Sequence, residues 1–290
     1  MAEGHAVHGM AQRLSQLTGS EVRSRGYATS PLDFDAAIAD RAVVGQPEAH
    51  GKHLLVPFVD RPVTAHLHLG MVGRVSVRRH HRALGVDGFP RTDPPVTPGL
   101  RWRLLTSGHI ADISAPTICE WLDVAGVAAL HTRLGPDPLR PDADPESFRR
   151  KVARSRRALG HLLLDQSVIA GVGNVYRAEI LWRLRLDPWR PGNDLTSEVI
   201  EALWSEAAVL LELGLGAGWI VTDDAQARAA RALLVRGERV PRWPKVYAVY
   251  GREGRPCRLC GTSVRAAAMG QQRIFWCPTC QATSSTGTGD

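Results

Sequence analysis

The sequence predicts an α+β protein of several domains, in which a leading helix and a β-sandwich precede a helical domain and a small C-terminal hairpin. Three observations support this prediction. Short apolar or alternating runs, broken by Gly, Pro and Asp, fill residues 20–125, as in antiparallel sandwiches. Four prolines between positions 136 and 145 mark a linker before segments with helical spacing. Four of the five cysteines follow residue 256, at the end of a 290-residue chain that is long enough for two cores.

The leading helix is predicted over residues 3–18. Its apolar side chains recur at helical spacing and a glycine follows them as a C-terminal stop, at Val7, Met10, Leu14, Leu17 and Gly19. Strands are predicted in the runs Lys52–Val59, Val63–Leu69 and Arg101–Leu105. These elements define a predicted N-terminal domain, residues 1–130, that is a β-sandwich with an N-terminal helix.

A linker is predicted at residues 131–144, and a helical domain is predicted to follow it at 145–245. The Ala- and Arg-rich segment 215–245 gives no assignment. Four helices are predicted from apolar periodicity, at 145–157, 158–166, 174–186 and 196–213.

The C-terminal hairpin, predicted at 246–281, carries two Cys-x-x-Cys pairs that are sixteen residues apart. Each pair presents two thiolates to one metal, and this spacing is that of a tetrahedral zinc site. We therefore expect one structural Zn²⁺, bound by Cys257, Cys260, Cys277 and Cys280. The alternative is two disulfides in a secreted protein, but no signal-like apolar run opens the chain. The tail 282–290 is rich in Ser, Thr and Gly and is predicted to be disordered.

The composition favours an acidic partner. The formal net charge is +7 and the pI is about 9.6. Lysine occurs only at positions 52, 151 and 245, so arginine supplies the other 33 of the 36 basic residues, and its fork binds phosphate bidentately. No apolar stretch approaches the length of a membrane span. The fifth cysteine, Cys119, is expected to be a buried small hydrophobe rather than a reactive thiol.

The sequence places a candidate nucleophile at the N-terminus. If Met1 is removed, Ala2 exposes an α-amino group at the start of a helix, where the dipole disfavours the ammonium form and lowers the pKa of the amine. A neutral amine can form a Schiff base with a sugar carbon. Glu3 follows directly and places a carboxyl beside whatever the amine attacks. The alternative is that Glu3 only gives the helix a favourable acidic start.

A glycine-rich turn, Gly171-Val-Gly173, opens a predicted helix at Asn174. The N-terminal amides of such a helix form a phosphate site, and Asn174 can reach a phosphate or cap the helix. The basic run 149–157 precedes this turn and favours a clamp on a nucleic-acid backbone, although a solvated charged face is the alternative. Polar and aromatic residues between the cysteine pairs also favour gripping nucleic acid.

Taken together, these motifs resemble the Fpg/Nei family of bacterial DNA glycosylases with AP-lyase activity. The resemblance runs over nearly the whole chain, from Glu3 to Gln281. The matching blocks are the Glu3-Gly-His start, Gly51-Lys-His-Leu-Leu, His68-Leu-Gly-Met, Leu134-Gly-Pro-Asp-Pro-Leu, the block from Asp165 to Tyr176, and the block from Tyr250 to Gln281. The block from Asp165 to Tyr176 is similar to the family's helix–two-turns–helix.

The resemblance implies a role for each residue. The α-amine of Ala2 would attack C1′ of a flipped nucleotide and form a Schiff base, while Glu3 moves protons. Lys52 would hold a phosphate or the deoxyribose, although by itself it could be a solvated hairpin tip. Asn174 and the hairpin arginine would bind phosphates. Met71 would fill the gap left by the extruded base, although by itself it would more often be a core residue.

Three departures from the family pattern bear on these roles. The family's nucleophile is proline, whereas residue 2 here is Ala. The hairpin arginine of the family lies five residues before the third cysteine, where this chain has Gln272. Arg273 comes one step later, and one step reverses the face of a hairpin. The loop 112–120 lacks the arginine that some relatives insert opposite the estranged base.

The resemblance is closer to the endonuclease VIII branch, which implies removal of oxidised pyrimidines and strand cleavage by elimination. The implied partner is double-stranded DNA that contains damaged bases or abasic sites. A monomer in the bacterial cytoplasm, associated with the nucleoid, is expected. Two alternatives stay open: an attenuated or non-catalytic lesion-binding member of the family, and a zinc-ribbon DNA-binding regulator.

Overall fold

A computed structural model describes residues 3–27 and 34–282 of the chain. It divides into two compact units, Met1–Arg133 and Leu134–Asp290. The division falls at residues 133 and 134, within the segment that the sequence analysis assigns to a linker. The finer domain ranges stay predictions. Ala2 and all of the predicted tail except residue 282 lie outside the described residues.

The N-terminal unit contains two antiparallel four-stranded sheets, which confirms the predicted α+β fold with an N-terminal sandwich. The strands are β1 (Arg23–Gly26), β2 (Glu48–His50), β3 (His53–Pro57), β4 (Thr64–His68), β5 (Arg74–Arg79), β6 (Leu100–Leu105), β7 (His109–Ser114) and β8 (Ile118–Leu122). The sheet orders are β1-β6-β7-β5 and β2-β3-β4-β8. Two helices accompany them, α1 (Gly4–Leu14) and α2 (Val124–Arg133).

The core of this unit lies between the two sheets. Leu54 and Leu67 from one sheet share a buried cluster with Trp102 and Leu104 from the other. Helix α1 adds a buried stripe, and it packs against β2 and β3. It is shorter than predicted, because a 3₁₀ turn at Ser15–Leu17 replaces its last turn.

Cys119 lies in this core, as expected, and burial raises the pKa of its thiol to about 12. A thiol with so high a pKa is a poor nucleophile at neutral pH. Cys119 therefore acts as a small hydrophobe.

Helix α2 was not predicted, and its presence explains a row of buried histidines. The strand register places His50, His53, His66 and His68 on the same face of the β2-β3-β4-β8 sheet, opposite the apolar core. Helix α2 contributes His131, whose ring nitrogen lies 2.9 Å from that of His50. We call these five residues the histidine ladder.

The histidine ladder ends on a carboxylate. Nδ1 of His66 donates to Glu120 at 2.8 Å, and Nε2 of His66 lies 2.8 Å from Nδ1 of His53. Burial, together with neighbouring cationic groups, lowers the pKa of His53 to about 3. His53 is therefore neutral at physiological pH, because its charged form would lose hydration without gaining an anionic partner.

The C-terminal unit is mainly helical. Its elements are α3 (Pro145–Ala153), α4 (Leu159–Leu162), α5 (Asn174–Arg183), α6 (Ser197–Ala217), α7 (Asp224–Val235), β9 (Arg265–Met269) and β10 (Gln272–Trp276). Strands β9 and β10 form the C-terminal hairpin. Phe148, Tyr176 and Leu210 pack in one core with Ile274 of the hairpin, so the hairpin is part of this unit's core.

Two predictions for the helical part were wrong or incomplete. The helix predicted at 158–166 is a single turn, α4, because the side chains of Asp165 and Gln166 bond to nearby backbone groups and stabilise turns instead. The unassigned segment 215–245 contains the end of α6 and the whole of α7. Its apolar residues, among them Val221 and Val240, form a second small core together with Leu213 of α6.

None of the helices within the described ranges is both long enough and apolar enough to cross a lipid bilayer.

The neutral state of His53 in the fold predicts a loss of stability in acid. Because the pKa of His53 is about 3 in the fold and about 6.5 when unfolded, the unfolded chain binds more protons between these values. His53 should therefore lower the free energy of unfolding of the N-terminal unit by about 1–2 kcal/mol between pH 6.5 and pH 5. Hydrogen exchange of peptides from strands β2–β4 at both pH values measures this, with His53→Gln expected to flatten the dependence. The exposed His81, substituted by Gln, serves as the control, and equal slopes in both variants would contradict the prediction.

Candidate functional site

Glu3 is the first described residue, and it stands at the N-cap of α1. Its carbonyl oxygen accepts from the backbone N–H of Ala6 at 2.9 Å and of Val7 at 3.3 Å. Its side chain is fully buried but makes no capping hydrogen bond to the helix. The carboxyl group is thus not used for helix capping, which distinguishes it from an ordinary acidic helix start. Ala2, the predicted nucleophile, lies outside the described residues.

Lys52 lies in the tight turn between β2 and β3, the two strands against which α1 packs. The pKa of His68, a member of the histidine ladder, is lowered mainly by burial and next by the positive charge of Lys52. Lys52 therefore lies at one end of the β2-β3-β4-β8 sheet. This sheet contains His68, and α1 packs against it.

Met71 is exposed, with 70% of its surface accessible, in the turn between β4 and β5. Val72 beside it is 74% exposed. The interpretation of Met71 as a core residue is therefore wrong. The turn requires Gly70, whose φ is +55° and where a Cβ would clash with the side chain of Thr117.

The glycine-rich turn before α5 is built by one amide side chain. Oε1 of Gln166 accepts from the N–H of Gly171 at 3.0 Å, and its Nε2 donates to the carbonyl of Val172 at 2.9 Å. Gly171 adopts a positive φ of 92°. Gln166 thereby fixes the loop that leads into the first residue of α5.

Asn174 begins α5 and is 4% exposed. Its Oδ1 accepts a hydrogen bond from Arg177, one turn later. Arg177 also donates to the carbonyl of Gly160 at 3.0 Å and to that of Arg273 at 3.1 Å. Arg177 was not among the residues predicted from the sequence, where its position one turn after Asn174 is the one signal that could suggest it.

Several side chains of the basic run 149–157 contact acidic side chains or a backbone carbonyl. Arg149 pairs with Glu146 and Glu201, and Arg157 pairs with Asp165 at 2.7 Å. The side chain of Lys151 donates to the carbonyl of Ser167 at 2.5 Å. These contacts favour the alternative interpretation of the run as a solvated charged face.

The hairpin shows the one-step change in face that the sequence predicts. Ile274 is fully buried on the side of the core, and Gln272 shares its face. Arg273 lies on the opposite face, where it pairs with Glu253 at 2.6 Å. Its guanidinium also lies 5.6 Å from the ring centre of Phe275. Arg273 therefore points away from the face that packs on α5.

A buried carboxylate on α5 holds the segment that leads into the hairpin. Glu179 is 1% exposed, and it accepts from the consecutive N–H groups of Ala248, Val249 and Tyr250 at 2.8–3.0 Å. The hydroxyl of Thr222 donates to it as well, at 3.0 Å. Glu179 was not predicted to be a functional or structural residue, since a single Glu inside a helix carries no sequence signal of burial.

The four C-terminal cysteines come together as predicted. Their sulfur atoms all lie within 4.8 Å of one another. The Sγ atoms of Cys257 and Cys280 are 3.9 Å apart, and those of Cys260 and Cys277 are 3.5 Å apart. A tetrahedron with Zn–S bonds of about 2.3 Å has sulfur atoms about 3.8 Å apart, so the donors fit such an ion. All five cysteines are free thiols, which excludes the disulfide alternative.

The predicted site residues thus fall into two groups. Glu3, Lys52 and Met71 belong to the N-terminal unit, and Lys52 and Met71 occupy turns at strand ends. Asn174, Gln272 and Arg273 belong to the C-terminal unit with the cysteine cluster. In the second group, Arg177 connects Asn174 directly to the backbone of Arg273.

Comparison with known proteins identifies the family. The family model described as Formamidopyrimidine-DNA glycosylase H2TH domain matches residues 134–225. Endonuclease 8 1 of Mycobacterium tuberculosis is 38% identical over 290 residues, which cover 97% of this chain and 100% of that protein.

Two solved structures are similar over almost their whole length. MutM (Fpg) of Thermus thermophilus is 29% identical with a TM-score of 0.70, covering 96% of this chain and 98% of that one. Lactococcus lactis Fpg in complex with abasic-site DNA is 20% identical with a TM-score of 0.73, covering 96% and 99%, and shows likeness of fold. With a relative of 38% identity over its full length, this chain belongs to the Fpg/Nei family of DNA-repair glycosylases.

Proposed function

We propose that this protein is a bifunctional DNA glycosylase and AP lyase that removes oxidised bases through a Schiff base at its N-terminal amine. The observation that carries the proposal is the buried Glu3 at the start of α1, whose carboxyl group does not cap its own helix. A buried carboxyl beside a terminal amine is suited to proton transfer during attack on a sugar.

The chemistry begins with the neutral amine of Ala2. Its nitrogen forms a bond to C1′ of the damaged nucleotide, and the glycosidic bond breaks as the base departs with its electron pair and a proton. Opening of the sugar ring gives an imine between the amine and C1′. Loss of a proton from C2′ then expels the 3′ phosphate by β-elimination. A primary amine carries out these steps as the family's proline does, since either can form an iminium ion.

Glu3 has two tasks in this sequence. In its protonated form it donates to the ring oxygen of the sugar, which favours ring opening. The carboxylate formed can then accept protons during the elimination. Burial suits both tasks, because it keeps bulk water from competing with the sugar for the carboxyl group.

DNA binding is assigned to groups in both units. Lys52, in its turn, supplies a point charge for a phosphate or the deoxyribose. Asn174 at the N-terminus of α5 supplies amide donors for a second phosphate, supported by the helix dipole. Met71, exposed on its turn, is an apolar wedge that can fill the space vacated by a flipped base.

The metal is proposed to be a single structural Zn²⁺ held by Cys257, Cys260, Cys277 and Cys280. When bound, it would supply folding free energy to the hairpin rather than reaction chemistry, because four thiolates leave no open coordination position. The four cysteines would thereby hold strand β10 and Arg273 in place.

The lesion class is proposed to be oxidised pyrimidines. The supporting observations are the similarity to a protein named Endonuclease 8 1 and the structure of residues 215–245. That segment forms helix α7 with a small core of its own. It is therefore not the Gly- and Thr-rich lid loop with which Fpg-type enzymes cover oxidised guanine.

A second candidate function is lesion binding with attenuated catalysis. Arg273 favours it, because this arginine faces away from α5 and pairs with Glu253. Ala2 in place of proline favours it as well.

Borohydride trapping on a duplex with an abasic site tests the proposal. We expect a covalent protein–DNA adduct, since reduction fixes the imine at the N-terminal amine. Ala2→Pro should also form the adduct, and blocking the N-terminus by acetylation should abolish it. An adduct only in Ala2→Pro would favour lesion binding with a disabled nucleophile. No adduct in either protein would refute the Schiff-base mechanism.

Glu3→Gln should separate binding from catalysis. Affinity for abasic DNA should change little, whereas single-turnover base excision should fall by a factor of about 10²–10⁴, the usual contribution of a positioned acid–base group. Glu21→Gln, an exposed carboxylate of the same unit, is the matched control. Full excision activity in Glu3→Gln would remove Glu3 from the mechanism.

Cys277→Ser should release the metal and loosen the hairpin, since structural zinc contributes directly to folding. DNA affinity should then fall by about tenfold or more, the equivalent of 1.4 kcal/mol. Zinc is measured by atomic absorption and affinity by fluorescence anisotropy, with Cys119→Ser as the control for loss of a thiol. DNA affinity that is unchanged after the metal has gone would exclude the hairpin as a DNA clamp.

A further inference from the structure

We infer that Arg177 is a positioning residue that sets the orientation of the Asn174 amide and fastens strand β10 to helix α5. The inference rests on the proposed function, because it gives Asn174 and the hairpin a common role in binding DNA phosphates. It adds a residue that acts through others, since the guanidinium itself is not accessible to a ligand.

The burial of Arg177 indicates a specific purpose. The residue is 0% exposed and its Nε is buried without an acceptor, so the cost of burying the guanidinium must be offset at its two terminal nitrogens. Three acceptors converge on it: the carbonyl oxygens of Gly160 and Arg273, and Oδ1 of Asn174. The rigid fork of arginine can reach several acceptors at once, whereas the single ammonium of lysine cannot span them.

The contact with Asn174 determines which way its amide faces. A guanidinium has donors only, so the atom of Asn174 that faces it must be the oxygen. The NH₂ group of Asn174 then points away from Arg177 and is the side that can donate to a phosphate oxygen. Rotating the amide by 180° would set N–H groups against N–H groups in a site where Asn174 is 4% exposed.

The contact with Arg273 extends the same constraint to the hairpin. One nitrogen, Nη2, donates both to Asn174 and to the carbonyl of Arg273 in β10. Arg177 thus fastens strand β10 to the first turn of α5 through the backbone of Arg273. The side chain of Arg273 itself lies on the opposite face of the hairpin. Loss of Arg177 would release the amide and the strand together.

The first test is Asn174→Asp. The carboxylate keeps an acceptor toward Arg177 but has no donor for a phosphate. We expect thermal stability to be equal or higher, and affinity for a duplex with a tetrahydrofuran abasic analogue to fall by at least about tenfold. A loss of stability with affinity retained would mean that the amide faces the other way, and would overturn the inference.

The second test is a double-mutant cycle between Arg177→Lys and Asn174→Ala. Each single variant should weaken binding of the same duplex by about tenfold. The double variant should lose no more affinity than either single variant alone. The matched control is Arg183→Lys on the same helix, which removes a fork that contacts Glu206 and Thr222 instead. Additive losses, or an equal loss in Arg183→Lys, would show that Arg177 contributes only to general stability.

A third measurement tests the inference without DNA. Amide hydrogen exchange of peptides from β10 should accelerate by about tenfold or more in Arg177→Lys while the zinc content stays constant. Unchanged exchange would overturn the inference. If the unmodified protein fails to prefer the abasic duplex over an intact one, the proposed function fails, whereas this exchange measurement still decides whether Arg177 fastens the hairpin.

Discussion

The C-terminal unit depends on one buried carboxylate. Glu179 accepts three consecutive backbone N–H groups from residues 248–250, which lead directly into the first cysteine pair. A carboxylate in such a nest of donors is held by charge-assisted hydrogen bonds, which are about twice as strong as neutral ones. Helix α5 therefore holds the hairpin segment at two points. Glu179 binds the backbone before the first cysteine pair, and Arg177 binds the backbone of strand β10. Two charged side chains of opposite sign, two residues apart on α5, hold a cysteine-bearing hairpin that has little core of its own.

The sequence was sufficient to predict those parts of the structure that depend on the chemistry of neighbouring residues. The spacing of the cysteines predicted that they cluster, and Gly–x–Gly before Asn174 predicted the start of α5. The alternation of side chains along a hairpin strand predicted that Gln272 and Arg273 lie on opposite faces. Each of these follows from the chemistry of a few adjacent residues. The broad fold followed in the same way from strand alternation and helical periodicity.

What could not be predicted depends on distant partners. Gln166 ends a predicted helix because its side chain bonds to the backbone of Gly171 and Val172, five and six residues later, which helical periodicity does not reveal. Helix α2 was overlooked because its apolar face is narrow, with Leu130 its one buried residue among those described. Met71 would have been assigned to the core on hydropathy alone, whereas the turn that carries it leaves it exposed. Arg177 and Glu179 look like ordinary charged helix residues until the elements packed around them are known.

The histidine ladder has a consequence for the tautomers of its rings. The carboxylate of Glu120 can only accept, so His66 carries a hydrogen on Nδ1, and the tautomer of neutral imidazole with that hydrogen has its acceptor at Nε2. Toward this tautomer of His66, His53 donates from its own Nδ1, which leaves Nε2 of His53 with a lone pair. The hydrogen bonds therefore run in a single direction, from His53 through His66 to Glu120. A half-exposed carboxylate at the edge of the sheet thus determines the protonation of an imidazole two strands away, next in sequence to Lys52.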